Sequence, residues 1–199
     1  MRVYAATTNA GKLRELQALF ASAGWEIVAF EAYAAPDEGE ASYADNAALK
    51  ARALAARLRE AGVAAPVVAD DSGIEVTALG GAPGVLSARY GGEAATWADR
   101  RRLLREALAA TGSADRSARF VCAVHFIAAD GREFAAEGTV EGAIVERERG
   151  DGGFSYDAVF LYPPAGKTFA ELTEEEKNAV SHRRRAADRI RVGLARTDA

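Results

Sequence analysis

The chain has 199 residues, 25 basic against 29 acidic side chains and a formal net charge of -4, so no overall positive field draws it to nucleic acid. A length of this order suits one sizeable domain or a core with a smaller lobe, and the single cysteine, Cys122, excludes an internal disulfide framework. No run approaches the length of a membrane span and the start does not read as a signal peptide, so no membrane partner and a cytoplasmic residence are the default expectations.

The first strand is expected over residues 2–7, followed by the turn Thr8-Asn9-Ala10-Gly11 and a helix over 12–23 whose Leu13, Leu16, Leu19 and Phe20 recur at helical spacing. A second strand is expected over 25–30 and a charged loop over 36–42. Residues 43–61 are dominated by strong helix formers, and Gly62 ends that helix. Residues 66–69 read as a short strand stopped by Asp70-Asp71-Ser72-Gly73, with 74–79 extending or pairing locally and the glycine-rich 80–84 irregular. A helix over 94–109 carries Trp97, Arg101, Leu104 and Leu108. Two long strands, 118–128 and 133–146, meet at Asp130-Gly131, the strongest hairpin signal in the chain. After a break at 150–153 come a strand over 158–162, a short helix through about Lys177 begun by the capping-box pair Thr173 and Glu176, and a last helix over 182–195 with Ser181 as candidate N-cap. Strands and helices therefore mix in one α/β unit without repeats.

Five groups of residues carry possible chemistry. Thr7-Thr8-Asn9-Ala10-Gly11-Lys12 lies between a strand and a helix, where hydroxyls, an amide, free helix N–H groups and an ammonium match triphosphate oxygens, or where Thr or Asn simply caps the helix. Asp70 and Asp71 follow an apolar strand and offer hard oxygens to magnesium, one of them able to orient or deprotonate water; the alternative is an Asx turn. A carboxylate of the acidic loop Asp37-Glu38-Gly39-Glu40 could complete a metal shell beside Asn46 and Lys50, which, four apart, share a helix side, although Asp45 to Lys50 alone reads as solubilising helix surface. Gly152-Gly153-Phe154-Ser155-Tyr156-Asp157 combines close backbone approach with flat rings and a carboxylate suited to a purine edge, although a turn and core residues would read similarly. Lys177, His182 and Arg183 bring cationic groups to the junction of two helices. His125, in a strand of apolar alternation, reads as a packed or paired core histidine, and Cys122 as a small buried hydrophobe. No nucleophile elbow or multi-histidine zinc set is present, which favours direct water attack.

These segments, together with Asn46-Ala47-Ala48-Leu49-Lys50-Ala51, Leu79-Gly80-Gly81-Ala82-Pro83-Gly84 with Ser87-Ala88-Arg89-Tyr90, Glu171-Leu172-Thr173 and Ser181-His182-Arg183, follow one another in the order of the Ham1/RdgB family of inosine and xanthosine triphosphate pyrophosphatases, which the chain resembles over nearly its whole length. The resemblance implies a single pyrophosphatase domain over residues 1–199, built as a long twisted mixed central sheet flanked by helices with two lobes around a nucleotide cleft. It further implies a homodimer, magnesium as cofactor, no stable nucleic acid partner, and cleavage of ITP, dITP and XTP between the α and β phosphates. Carried across by position, Asp71 looks like the metal-linked general base with Asp70 beside it. Thr8, Asn9, Ala10, Gly11, Lys12, Lys50 and Lys177 look like phosphate-side groups, and Ser72 belongs to the substrate loop. Phe154, Ser155, Tyr156, Asp157, His182 and Arg183 look like the base-recognition set. Two departures stand out. Ser155 occupies a position where the family usually has glycine, which tests whether that backbone needs a positive φ. The metal loop also differs from the usual Glu-Glu-Thr-Gly: its spacing to Ser42-Tyr43 puts Asp37 at the metal position, with Glu38 close enough to replace it.

Overall fold

A computed structural model describes residues 1–197 as a mixed α/β fold in which helices flank a sheet. The chain forms two compact units, one from Met1–Asp71, Cys122–Gly138 and the segment from His182 onward, the other from Ser72–Val121 and Thr139–Ser181.

The first unit contains β1 (Arg2–Ala5), α1 (Ala10–Ala21), β2 (Glu26–Ala29), α2 (Tyr43–Glu60) and α5 (His182–Thr197). It also holds the beginning of β3 (Val67–Val76), the end of β4 (Ser117–Ile127) and the beginning of β5 (Glu133–Ile144). Strands β1, β2 and β3 run parallel, with Val3 opposite Ile27 and Ala5 opposite Val68. Side chains on a strand alternate between faces, and this alternation sorts the core. Val3, Ala5, Val68 and Phe126 pack with Leu16, Leu19 and Phe20 of α1 and Ala186, Ala187 and Ile190 of α5. Ala6, Val67, Ala69 and Ile127 pack with Ala51, Leu54 and Leu58 of α2. Helices α1 and α5 therefore cover one side of β3, and α2 covers the other.

The second unit contains the remainder of β3, β4 and β5, with α3 (Trp97–Ala110), β6 (Phe160–Tyr162), β7 (Lys167–Thr168) and α4 (Glu174–Val180). Strands β5, β6 and β7 pair antiparallel. Ile74, Val76, Leu104, Leu108, Phe120, Val140, Tyr156, Phe160 and Phe169 form its core. The capping box expected at Thr173 and Glu176 is present, and the helix it starts runs on to Val180. Residues 80–84 are framed by short 3-10 turns at Thr77–Leu79 and Gly84–Leu86. The expected strand over 158–162 is shorter, because a 3-10 turn takes Asp157–Val159. No helix among the described residues is long and apolar enough to cross a membrane.

One expectation fails at the centre of the fold. Asp70-Asp71-Ser72-Gly73 does not stop the strand: β3 continues through all four residues, and Asp70 and Asp71 are only 1% and 5% exposed. Carboxylates are rarely buried unless paired, and both have cationic partners, so the strand keeps its ladder.

Candidate active site

Strand alternation decides where the two aspartates point. Asp70 lies two residues from Val68, on the side of α1 and α5; Asp71 lies two from Ala69, on the side of α2. They are therefore not a side-by-side pair presenting four oxygens to one ion.

Asp70 Oδ2 accepts from Arg183 Nη2 at 2.8 Å and Nε at 3.1 Å, and lies 3.2 Å from Lys12 Nζ. Arg183 also pairs with Glu15 of α1 and is 1% exposed. Burial alone would raise the Asp70 pKa, but Arg183, Lys12 and Lys50 outweigh it and hold the carboxyl far below its usual range. Burial would likewise lower Arg183, yet Asp70 and Glu15 keep it well above its ordinary value. Arg183, expected in base recognition, is placed by the structure as the buried counter-charge of Asp70. His182, at the start of α5, is also buried. Glu15 was not anticipated, although an acid four residues before Leu19 on the apolar side of α1 was a signal in the sequence.

Asp71 meets different partners. Its Oδ1 accepts from Lys50 Nζ at 2.9 Å and its Oδ2 from Asn46 Nδ2 at 3.2 Å, as the shared helix side of Asn46 and Lys50 led one to expect. Lys50 Nζ also donates to Glu38 Oε1 at 2.8 Å, while Asn46 holds the acidic loop by accepting from Gly39 N–H at 2.9 Å and donating to its carbonyl at 3.1 Å. Burial opposes the charge on Lys50, but Asp71, Asp70 and Glu38 keep it protonated, with its pKa raised. Asp37 is exposed, and of the two loop acids left open by the sequence it is Glu38 that reaches this cluster.

Helix α1 begins differently from the phosphate-binding expectation. Asn9 is its N-cap, and Asn9 Oδ1 accepts from Gly11 N–H at 2.9 Å and Lys12 N–H at 3.1 Å, so these two donors are already engaged. Thr8 and Ala10 are exposed beside it and Gly11 is buried.

In the second unit, Asp157 accepts from Phe154 N–H at 2.8 Å through Oδ2, and the Lys177 ammonium bonds to the same oxygen. The ammonium lies 4.6 Å from the Phe154 ring centroid, so Lys177 lies beside the Phe154–Asp157 set. Phe154 is half-buried, with the Lys177 ammonium over its ring. Tyr156 is fully buried, donates its hydroxyl to the Ser87 carbonyl at 2.9 Å and packs edge-on to Trp97, which corrects its reading as a surface against a purine. Ser155 has φ +60°, so the glycine usual at this position does answer a backbone need, and serine holds the left-handed conformation at a cost of about 1 kcal/mol. Ser72 is half-buried within β3.

The Ham1 family sequence pattern matches residues 3–192. The chain belongs to the Ham1 family. Among its relatives, the dITP/XTP pyrophosphatase of Thermus thermophilus is 47% identical over 188 residues, covering 94% of this chain and 88% of that protein. The dITP/XTP pyrophosphatase of Geobacillus kaustophilus is 49% identical over 190 residues, covering 93% and 90%. The HAM1 protein from Coxiella burnetii superposes with a TM-score of 0.83 at 36% identity, over 98% of this chain and 99% of that one. The Staphylococcus aureus Ham1 protein gives 0.81 at 33% identity, over 98% of each. This Ham1-family chain thus keeps its buried charges in the two units its fold defines, with Asp70, Asp71, Lys50 and Arg183 in the first and Asp157 and Lys177 in the second.

Magnesium takes oxygen ligands, commonly one or two carboxylates completed by water and phosphate oxygens. Among the described residues, no three His, Cys, Asp or Glu side chains gather as a self-sufficient metal cage. The donors present fit the less demanding arrangement: Glu38 and Asp71 already share one cation, the Lys50 ammonium, and Asp70 Oδ1 is buried without a hydrogen-bond partner.

Proposed function

We propose that this chain hydrolyses deaminated purine nucleoside triphosphates, ITP, dITP and XTP, to the monophosphate and pyrophosphate with magnesium, thereby keeping such bases out of nucleic acids. The observation that carries the reading is the buried cluster in which Asp71 and Glu38 share the Lys50 ammonium, within a chain whose relatives bear the name dITP/XTP pyrophosphatase.

In this reading Glu38 and Asp71 would hold magnesium. Bound there, the ion supplies positive charge against the triphosphate and the leaving pyrophosphate. Asp71, oriented by Lys50 and Asn46, accepts the proton of the water that attacks the α phosphorus. Lys50 and Lys12 bring fixed positive charge to the phosphates, where charge develops as the bridging bond breaks. Asp70 holds Lys12 in place through its ion pair and is itself locked by Arg183.

Base choice is assigned to Phe154 and Lys177. A purine keto group at position 6 calls for a donor, whereas the amino group of adenine calls for an acceptor. The Lys177 ammonium beside the Phe154 ring supplies a charged donor next to a stacking surface. Leaving a buried donor facing an amino group costs about 1–3 kcal/mol, enough to disfavour ATP by about fivefold or more.

The test is a panel of ITP, dITP, XTP, GTP, ATP, dUTP and dTTP with both nucleotide and pyrophosphate quantified. The expected outcome is fastest release of pyrophosphate and monophosphate from the deaminated purines. Release of single phosphates, equal rates on ATP, or tight ITP binding without turnover in saturating magnesium would each overturn the reading.

A further inference from the structure

We propose that Arg101 is a positioning residue for base recognition, holding the Phe154–Asp157 turn in its binding shape from helix α3; this rests on the function proposed above. The turn contains a serine in a conformation that L-residues avoid, with φ +60° at Ser155, two residues after Gly153 at φ +68°. Such a conformation persists only when its surroundings over-determine it, and the donor that fastens Ser155 itself comes from outside the turn. Arg101 Nη1 donates to the Ser155 carbonyl at 2.9 Å.

The arginine is held in its turn. Arg101 Nε donates to Glu148 Oε2 at 2.9 Å, and Arg105, one helical turn further along α3, lies 3.4 Å from Glu148 Oε1 and donates to the Glu146 carbonyl at 2.9 Å. A planar guanidinium can serve a carboxylate and a carbonyl at the same time, which a lysine ammonium does less rigidly. The Arg101 side chain is 19% exposed, so this donation is partly shielded from water. On the other side of the turn, Tyr156 is anchored to Ser87, and Asp157 binds both Phe154 N–H and Lys177. Arg101 therefore fixes the peptide between the ring proposed to stack on the base and the tyrosine that anchors the turn. It reaches no reacting atom in this arrangement; its effect is transmitted through the backbone of Ser155.

Two substitutions test this. Arg101→Met keeps the aliphatic stem and removes both donations; Ser155→Gly removes the penalty of the left-handed backbone. In the Arg101→Met protein, KM for ITP and XTP should rise about tenfold with kcat within about twofold, the loss of one charge-assisted hydrogen bond acting on binding alone. Inhibition by inorganic triphosphate, which carries no base, should be unchanged. Introduced into the Ser155→Gly protein, the same arginine change should raise KM less than about threefold, because glycine keeps the turn without the clamp. Unaltered KM in Arg101→Met, an equal loss for inorganic triphosphate, or an equal loss in both backgrounds would overturn the proposal. Should Arg101→Met fail to fold alone, the comparison of Ser155→Gly with the double variant decides: a folded double variant with similar KM supports the clamp, and an unfolded one assigns Arg101 to stability instead. A parent protein that releases no pyrophosphate from ITP fails the functional reading, whereas an active parent with an indifferent Arg101 fails only this inference.

Discussion

Replacing Asp70 by Asn should destabilise the protein far more than the same change at Asp71. Asn preserves the shape at position 70 but removes the charge to which Arg183 donates at 2.8 and 3.1 Å and which Lys12 approaches at 3.2 Å. Arg183 is 1% exposed and cannot turn to water. Removing one partner of a buried ion pair typically costs about 3–5 kcal/mol; because Glu15 remains on Arg183, the lower end, about 3 kcal/mol, applies. For a chain of this size that is a fall in Tm of about 6–12 °C. The assay is thermal unfolding followed by circular dichroism at neutral pH, without nucleotide or metal. The pH dependence has a definite sign. The folded-state pKa of Asp70 is depressed, so its stabilisation is fully present above the unfolded carboxyl value of about 3.9 and is lost as the pH falls below that value toward the folded one. The difference in Tm between parent and variant should therefore be constant from neutral pH down to about 5 and shrink in stronger acid. A Tm within about 2 °C of the parent at neutral pH would refute the assignment of Asp70 as the counter-charge that keeps Arg183 buried.

Asp71→Asn should instead leave Tm within about 3 °C, since Lys50 retains Glu38, yet lower kcat by about 10²–10⁴ with a much smaller change in KM; near-parent turnover of ITP would remove Asp71 from proton transfer. Gly138→Ala places a Cβ 2.3 Å from the His182 carbonyl and 2.5 Å from Ala186 N, both backbone atoms of α5, so Tm should drop by about 5 °C as the helix start bearing Arg183 is displaced; unchanged melting would show that α5 can shift freely. Burial pushes the Cys122 thiol up to about 12, so a thiol reagent at pH 8 should leave the native protein unlabelled and label it once in denaturant, and rapid native labelling would contradict its burial.

The contrast between positions 70 and 71 also shows what a single sequence can and cannot disclose. Local signals were legible: the Asp130-Gly131 hairpin, the Thr173 capping box and the common side of Asn46 and Lys50 on α2 all lie within a few residues of their causes. Ser155 was legible in a different way, because serine in the usual place of a glycine poses a question about φ that the backbone at +60° answers. The continuation of β3 was not legible. Two aspartates followed by Ser-Gly carry the composition of a turn, and what makes them strand residues is compensation from Lys50, 21 residues away, and Arg183, 113 residues away. Burial of charge depends on partners that only the folded chain assembles, so the turn-like tetrapeptide and the extended strand cannot be told apart by local propensity. Once the strand is granted, period-two alternation separates the aspartates without further assumption. Asp70 goes to the side of α1 and α5 and becomes a fixed charge, while Asp71 goes to the side of α2, where Glu38 and Lys50 await it. The division of labour between two adjacent, chemically identical residues thus follows from the pleat of one strand, and the unequal responses of Asp70→Asn and Asp71→Asn in stability and turnover are its measurable consequence.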